Sequence, residues 1–507
     1  MLLLQIDRAS GVPAYRQICQ RIVALVDEGT LQPGDRLPPT RLLGTSIGVH
    51  RSTAVRAYRE LRALGYLDSQ AGSYSTIRRR ERPPTTLSAA ADRPTASLID
   101  WSAVARPSVR ALQAHAAMDP SKGRPPPDLV DLDTLSADPS LAPDDDLRRC
   151  IKSVLVRRGG AVLDYADATG WPPLREVLAA RMRNHGVAAS PDEILITAGA
   201  QHALDLLLRY LTTPGDCIVV EAPTYGMAHP LLELHGIEPV EVPLLEDGMN
   251  LDRLAQVVRR RRRRPKLVYT MPNFHNPTGI TTDQPHRERL LVLCEEYRIP
   301  LVEDGFEEEM KYFGQAVLPV KSMDSQGIVL YVGTFSKIVF PGLRLGWIAA
   351  PREAITRLTD IKHASCITGN TLVQAAATRF CSGGDFEAYL RRIHRVYRQR
   401  MQILLRGLER HMPEEVAWTK PSGGYTAWLT LPDVGKSESE LVERIASAGV
   451  KVGPGCRYFA RRPATPHLRL SIACVAEERI ETGCRRLGRV LAEAMHGGRQ
   501  SRRAATS

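Results

Sequence analysis

No apolar run in the 507-residue sequence approaches the ~20 residues that a membrane-spanning helix needs, so no membrane partner is expected. The opening MLLLQIDRAS carries neither a basic stretch nor a small-residue cleavage site, which argues against a secretory signal. The 9 cysteines are dispersed without a Cys-x-x-Cys pair, which excludes the usual zinc frameworks and a disulfide scaffold and fits a reducing cytoplasm. The 13 histidines show no His-x-x-x-His spacing, so no metal site is expected. Internal repeats are absent. Residues 1–80 contain no lysine at all. Their cations are 12 arginines against 6 acidic residues, a net +6 out of +12 for the whole chain. That concentration suits a polyanionic partner.

The length calls for two or three domains. Residues 1–77 read as a compact helical unit. Residues 78–127 are rich in Pro, Ala, Ser and Arg and read as a linker, with a short helix near Val104–Ala114. From 128 to 495, helical stretches alternate with the apolar runs Ile194–Thr197, Cys217–Val220, Leu267–Thr270, Ile299–Val302, Ile328–Val332 and Trp347–Ala350. This alternation predicts an α/β domain with a mostly parallel sheet. The tail, 496–507, is expected to be disordered.

In the first unit, Tyr15–Asp27 has apolar residues at helical spacing. Thr40–Ile47 is a second, short helix stopped at Gly48, and His50–Leu64 a third. On the third, Ala54, Ala57, Tyr58 and Leu61 form one apolar face and leave Arg51, Ser52, Arg59 and Arg62 largely off it. Two helices about a tight glycine turn, the second basic at its start, fit a helix-turn-helix. Gly65–Asp68 and the following Gln-Ala-Gly-Ser-Tyr-Ser-Thr fit a strand-turn-strand wing. A helical dimerisation domain with solvated arginines has the same periodicity. The stretches PAYRQI, GTLQPGDRLPPTRLL and GVHRSTAVRAYRELRALGYL resemble the GntR-type winged helix of the MocR/GabR regulators. That resemblance implies a double-stranded DNA partner, with contacts from Arg41, Arg51 and Thr53 and with Gly72 in the wing tip. An arginine at the start of a groove-inserted helix can pair bidentately with guanine, while hydroxyls and other cations hold phosphates.

In the large domain, Lys337 ends Gly-Thr-Phe-Ser-Lys after an apolar run and is a candidate Schiff-base former. Arg344 follows seven residues later, within reach of a phosphate. Asp304 ends another apolar run, where a carboxylate can keep a pyridine nitrogen protonated or simply cap a turn. Asn276 sits in Asn-Pro-Thr-Gly, Tyr225 in Glu-Ala-Pro-Thr-Tyr, and Ala200 and Gln201 open a helix whose N–H groups suit a phosphate. Each is equally readable as a turn or packing residue. Together with YADATGWPPLR, TAGAQHALD, MPNFHNPTG, PGLRLGW and HLRLS, they resemble fold-type I aminotransferases, in the MocR/GabR branch and its 2-aminoadipate-aminotransferase-like relatives. The resemblance implies a large domain with a smaller C-terminal subdomain, and pyridoxal 5′-phosphate as cofactor. It implies Lys337 as the Schiff-base lysine, Asp304 on the pyridine nitrogen, Asn276 on the phenolate oxygen and Tyr225 stacked on the ring. Thr334, Ser336, Arg344, Ala200 and Gln201 would surround the phosphate. Arg469 would bind an amino-acid carboxylate, and Tyr165 would reach the phosphate of the other subunit in a homodimer.

Two departures stand out. The family's Asp-x-Tyr reads Asp304-Gly-Phe306, which removes a hydroxyl from the phenolate oxygen. Its early Gly-x-Pro reads Ala137-Asp-Pro139. Both weigh against efficient turnover more than against cofactor binding. The six arginines Arg259–Arg264 read as a solvated helix end, or alternatively as a contact to DNA phosphates. The expected function is a DNA-binding regulator that senses an amino acid or amine. The alternative is a working aminotransferase with an attached DNA-binding head.

Overall fold

The computed structural model describes residues 4–68, 74–78, 99–112, 128–259, 264–315, 317–433 and 435–505, with backbone alone for 497–505. The chain divides into Met1–Trp101 and Ser102–Ser507.

The first unit comprises α1 (Ala14–Asp27), α2 (Thr40–Ser46), α3 (Arg51–Ala63) and an antiparallel pair, β1 (Leu67–Asp68) and β2 (Thr76–Ile77). Its core forms where the helical apolar spacing requires. Ile18 and Ile22 of α1 meet Leu43 of α2, the Ala54/Ala57/Tyr58/Leu61 face of α3, and Leu67 and Ile77 of the hairpin. His50 caps α3, its Nδ1 accepting from Ser52 N at 3.3 Å. Arg8 donates to the carbonyl of Gly48 at 2.7 Å and braces the turn between α2 and α3.

Two short helices follow, α4 (Trp101–Val104) and α5 (Pro107–Ala111), in the segment read from sequence as a linker with one short helix. The larger unit then runs β3 (Val130–Asp131), α6 (Asp144–Arg158), α7 (Pro172–Asn184), β4 (Ile194–Thr197), α8 (Ala200–Leu211), β5 (Cys217–Ala222), α9 (Ala228–His235), β6 (Glu238–Leu245), β7 (Gly248–Met249), α10 (Leu251–Val258), β8 (Val268–Thr270), α11 (Gln284–Glu296), β9 (Leu301–Asp304), β10 (Val329–Thr334) and β11 (Gly346–Ala349). Strands β4 to β11 form one sheet in the order β4-β11-β10-β9-β8-β5-β6-β7. Its inner strands are apolar without alternation because helices cover both faces, and β4 and β9 are buried along their whole length.

Strands β5, β6, β8, β9 and β10 are parallel, while β11 is antiparallel to both β10 and β4. β4 therefore points the same way as β10. The C-terminal ends of β4, β5, β8, β9 and β10 emerge together at one edge, where open α/β sheets place their ligands.

The chain continues through α12 (Arg352–Cys366), α13 (Thr371–Ser382), the long α14 (Asp385–His411), β12 (Ala417–Trp418), β13 (Thr426–Thr430), α15 (Glu438–Ser447), β14 (Val450–Lys451), β15 (Gly453–Pro454), β16 (His467–Ser471) and α16 (Glu477–Ala505). A four-stranded antiparallel sheet, β12-β13-β16-β15, is the core of the smaller C-terminal subdomain. β3 pairs in parallel with β14 and ties residues 130–131 to that subdomain.

The tail departs from expectation. The sequence pattern suggested disorder from 496, but α16 carries helical backbone to Ala505. A helix already anchored by Cys484, Leu487 and Leu491 in the core extends without needing further apolar residues. Among the described residues, no helix is long and apolar enough to cross a membrane, and no group of three or more His, Cys, Asp or Glu is placed to hold a metal ion.

Candidate functional site

Five strand ends converge on one basin. Asp304 closes β9 and is buried. Its Oδ2 accepts from the Tyr269 hydroxyl of neighbouring β8 at 2.7 Å, while Oδ1 is buried without a hydrogen-bond partner. Burial pushes this carboxyl up to about 6 against the opposing pull of the Tyr269 hydroxyl and the Phe306 backbone N–H. Tyr225 follows β5 and is half-buried. Burial and the nearby Asp304 charge push its hydroxyl well up.

Asn276 lies in the loop after β8. That loop is braced by Glu221 of β5, which accepts from Thr270 Oγ1 at 2.6 Å and Met271 N at 3.0 Å and lies 3.2 Å from His275 Nε2. Asn276 Oδ1 accepts from Arg469 Nη1 at 3.3 Å, which leaves Nδ2 as the free donor end of the amide.

A cationic corner forms where β4 turns into α8. Gly199 caps α8 at φ +96°, a conformation that strains any residue with a Cβ. An added Cβ would stand 3.3 Å from Arg344 Nη2, which instead donates to the Ala198 carbonyl at 2.6 Å. The first-turn N–H groups of Ala200 and Gln201 begin beside this guanidinium, and helix starts leave such donors unpaired within the helix. Thr334 and Ser336, both buried, join through their hydroxyls at 3.0 Å just beyond β10.

Lys337 follows them. Its loop is held by the Tyr425 hydroxyl on the Lys337 carbonyl at 2.8 Å and by the Tyr389 hydroxyl on the Ile338 carbonyl at 2.8 Å. Nζ donates to the Leu135 carbonyl at 2.6 Å. Burial brings this amine down to about 8, opposed by the carboxyl of Glu307. Glu307 is itself buried. Its Oε2 accepts from Tyr425 N at 3.1 Å, its Oε1 has no partner, and burial raises it to about 8.

Arg469 of β16 is buried, with Nη2 donating to the backbone carbonyl of Asp133 at 2.5 Å and to its Oδ1 at 3.1 Å. Phe306 packs in the apolar cluster with Tyr269, Val302 and Val332 and adds no polar atom to the basin. In the Ala137-Asp-Pro139 stretch, Asp138 caps the turn Pro139–Leu141 and accepts from Arg400 Nη2 at 2.7 Å.

Sequence reading thus placed Lys337, Asp304, Asn276, Tyr225, Thr334, Ser336, Arg344, Ala200, Gln201 and Arg469 on loops and strand ends that meet at this basin. Tyr165 is not among them. It is 78% exposed in this single chain. The reading missed Tyr269, Glu307 and Asp133, since a tyrosine inside an apolar strand and isolated acids carry no local signal.

In the smaller unit, Arg51 is exposed at the first position of α3, Arg41 is exposed on α2, and Thr53 is half-buried in the first turn of α3. Arg56 lies over the Tyr15 ring at 4.0 Å, so that cation is engaged within the unit. Gly72 lies outside the described residues, as do 260–263 of the arginine run.

Residues 14–76 match the gntR family of bacterial regulatory proteins, and residues 138–487 match the class I and II aminotransferases. The chain is 30% identical over 483 residues to YisV, an uncharacterized HTH-type transcriptional regulator of Bacillus subtilis, covering 94% of this chain and 96% of the relative. It is 29% identical over 468 residues to MocR of Rhizobium meliloti, a probable rhizopine catabolism regulatory protein, covering 91% and 90%. The chain belongs to the MocR-type transcription regulators. The larger unit of this regulator is also similar to aromatic-amino-acid aminotransferase 1 of Thermococcus litoralis, at 39% identity over 348 residues, 68% of this chain and 83% of the relative. Among solved structures, the multiple substrate aminotransferase of Thermococcus profundus superposes with a TM-score of 0.74 at 34% identity, covering 78% of the regulator and 100% of that chain. The fold is that of the fold-type I aminotransferases, and the cofactor is pyridoxal 5′-phosphate. The GntR head makes the regulator a DNA-binding protein.

Proposed function

We propose that the regulator senses a primary amine or amino acid in the basin of its larger unit and reports it to DNA through the GntR head, as a cytoplasmic homodimer. The observation that carries this reading is the unpartnered, buried Asp304 Oδ1 at a strand end that faces the same basin as Lys337. A buried carboxylate oxygen without a donor is costly, and a protonated ring nitrogen would supply the missing partner. The remaining residues fit pyridoxal phosphate equally well. Arg344 and the start of α8 offer a cation and backbone donors for a phosphate, with the Thr334 and Ser336 hydroxyls beside them. Asn276 Nδ2 would donate to the ring oxygen and Tyr225 would cover the ring face. Lys337 would hold the cofactor covalently, and its lowered pKa keeps a larger fraction of Nζ unprotonated near neutral pH than an exposed lysine would. Bound there, the cofactor supplies an electrophilic carbon for primary amines and an electron-withdrawing ring.

The dimer rests on α6. Ile151, Leu155 and Val156 are exposed on it, and Leu163 and Tyr165 are exposed just beyond it, an apolar strip that suits a second copy. That copy would bring Tyr165 to the partner's phosphate seat. Two heads would then read two half-sites, with Arg51 on a base and Arg41 and Thr53 on phosphates.

A second reading, a working aminotransferase with a DNA-binding head, is favoured by the poised Lys337 amine. One experiment separates the two. Binding of the holoprotein to a duplex from its own upstream region is measured with and without a panel of amines and amino acids, and turnover is assayed with an added oxo acid. We expect at least one ligand to shift DNA affinity fivefold or more, the lower end of ordinary coupling. Lys337→Ala should keep DNA binding and lose the response. Rapid multiple turnover with DNA binding indifferent to every ligand establishes the enzyme instead.

A further inference from the structure

Both terminal nitrogens of the Arg469 guanidinium are already engaged by the protein itself, while its buried Nε has no hydrogen-bond partner. Its Nη2 bonds both the carbonyl and the Oδ1 of Asp133, its Nη1 bonds Asn276, and the Tyr458 ring lies 5.2 Å from it. The acid is not a chance neighbour. Leu132 N donates to the Lys451 carbonyl at 2.9 Å, and the Leu132 carbonyl accepts from Ser471 N at 2.7 Å, so the strand pairing of β3 fixes the backbone on both sides of residue 132. Asp133 N is held by Asp131 Oδ1 at 2.9 Å. Space for the carboxylate is provided by Gly453, where a Cβ would stand 2.7 Å from Asp133 Oδ1. On its outer side the same carboxylate faces Arg457 at 3.4 Å and Lys451 at 3.7 Å. Asp131 takes part of the Lys451 charge at 3.2 Å.

We propose that Asp133 fills the carboxylate seat of Arg469, so that the ligand this basin selects is a primary amine without an α-carboxylate. The proposal rests on the reading of the basin as the effector site, and narrows it. A ligand carboxylate aimed at Arg469 meets a guanidinium whose two terminal nitrogens are engaged and which already faces the Asp133 carboxylate at 3.1 Å. It also approaches the like charge of Asp133. Seating it requires the Asp133 carboxylate to give up its buried ion pair with Arg469, and taking one partner out of such a pair is costly. An amine lacking that group reaches Lys337 and leaves the pair intact. Specificity here comes from a repulsive group inside the site as much as from an attractive one.

The test uses matched probes: 2-phenylethylamine with L-phenylalanine, and 3-methylbutylamine with L-leucine. The holoprotein and its Asp133→Asn and Asp133→Ala variants are titrated by the absorbance of the bound cofactor. In the wild type, each amine should half-saturate at a concentration at least tenfold below that of its amino acid. Either substitution should shift that ratio at least tenfold toward the amino acid. A wild type that takes the amino acid as readily as the amine, or a ratio unmoved by both substitutions, overturns the proposal. A second measurement does not depend on sensing. Benzoate is titrated calorimetrically into the cofactor-free protein. Binding gained at least tenfold in Asp133→Ala supports the occupied seat, and equal binding in wild type and variant overturns it. Should no amine or amino acid alter the cofactor spectrum, the sensing reading falls, while the benzoate result still decides the role of Asp133.

Discussion

Tyr269 donates its hydroxyl to Asp304 Oδ2 at 2.7 Å from the adjacent strand, and this bond, with a weaker pull from the Phe306 backbone N–H, favours the ionised carboxylate over the neutral acid in a buried place. A charged acceptor gains roughly 1.5–3 kcal/mol from such a bond. Tyr269→Phe should therefore raise the Asp304 carboxyl above its present value of about 6 and weaken pyridoxal phosphate binding about tenfold or more at pH 7. The loss should shrink at pH 8.5, where the carboxyl ionises even without the hydroxyl. Fluorescence titration of the cofactor at the two pH values checks both the size and the trend. Equal affinity at both would mean that the hydroxyl does not support the carboxylate.

Glu307 gives the cofactor-free protein a pH dependence with a definite sign. Its carboxyl moves from 4.5 up to about 8 on folding, chiefly by burial. Between those values the folded state keeps a proton that the unfolded chain has lost, so stability falls as pH rises through the window. Asp304, raised from 3.8 to about 6, adds to the fall at its acidic end. Lys337 moves from 10.5 down to about 8 and acts in the opposite direction, but only above pH 8. Glu307→Gln removes the largest of the carboxyl contributions. Each pH unit across the window is worth at most about 1.4 kcal/mol per proton. From pH 5 to pH 8 the wild type should therefore lose roughly 1–3 kcal/mol more than the variant, read from urea midpoints. A parallel decline in both proteins would mean that Glu307 does not titrate in this range.

How much of this was legible in the sequence depends on how far apart the interacting residues lie. Lys337, Asp304 and Asn276 each follow an apolar run, and in a parallel sheet residues at the ends of such runs meet at one edge. Strand position therefore carried them to that shared edge. The helical period likewise separated the buried face of α3 from Arg51. Asp133 and Arg469 are 336 positions apart, and their pairing depends on β3 joining β14 in the C-terminal subdomain, which no local pattern encodes. Tyr269 is hidden differently. An aromatic residue in an apolar strand has the composition of core, and only the register of β8 beside β9 turns its hydroxyl to use. The helical backbone past His496 escaped because a polar, arginine-rich tail has the composition of a disordered end.

Within the DNA-binding head, Arg51 and Arg41 should behave differently. Arg51 is exposed at the N-terminus of α3 beside the His50 cap, the usual place for a base contact. Arg51→Ala should cost about 1–3 kcal/mol on the preferred site and much less on unrelated duplex, which lowers specificity. Arg41→Ala should weaken both duplexes alike and reduce the slope of log affinity against log salt by about one. Fluorescence anisotropy on two duplexes over a salt series distinguishes these outcomes. A uniform loss for Arg51→Ala would move that arginine to the phosphates.

Phe306 is where sensing and turnover part. The side chain is buried against Tyr269, Val302 and Val332, two residues beyond Asp304, and contributes no hydroxyl to the basin. A tyrosine there would share the ring oxygen of the cofactor with Asn276 and draw off part of its negative charge. With phenylalanine, that oxygen keeps more charge and holds a neighbouring proton more strongly. The pH at which the absorbance of the lysine-bound cofactor changes should therefore be higher in the wild type than in Phe306→Tyr, by about one unit, which corresponds to about 1.4 kcal/mol. Capture of an amine by Lys337 chemistry needs only the electrophilic carbon and Asp304, and both are unchanged. Later proton transfers need a well-matched acid and base, and these slow steps should accelerate in the variant. An absorbance titration from pH 5 to pH 10, a stopped-flow trace with amine, and a product assay with an oxo acid cover the three claims. Faster multiple turnover in Phe306→Tyr, with amine capture rates within threefold of the wild type, places the regulatory character of the site at this one position. A wild type that already turns over as fast as the variant, with the same absorbance transition, returns the regulator to the class of working aminotransferases.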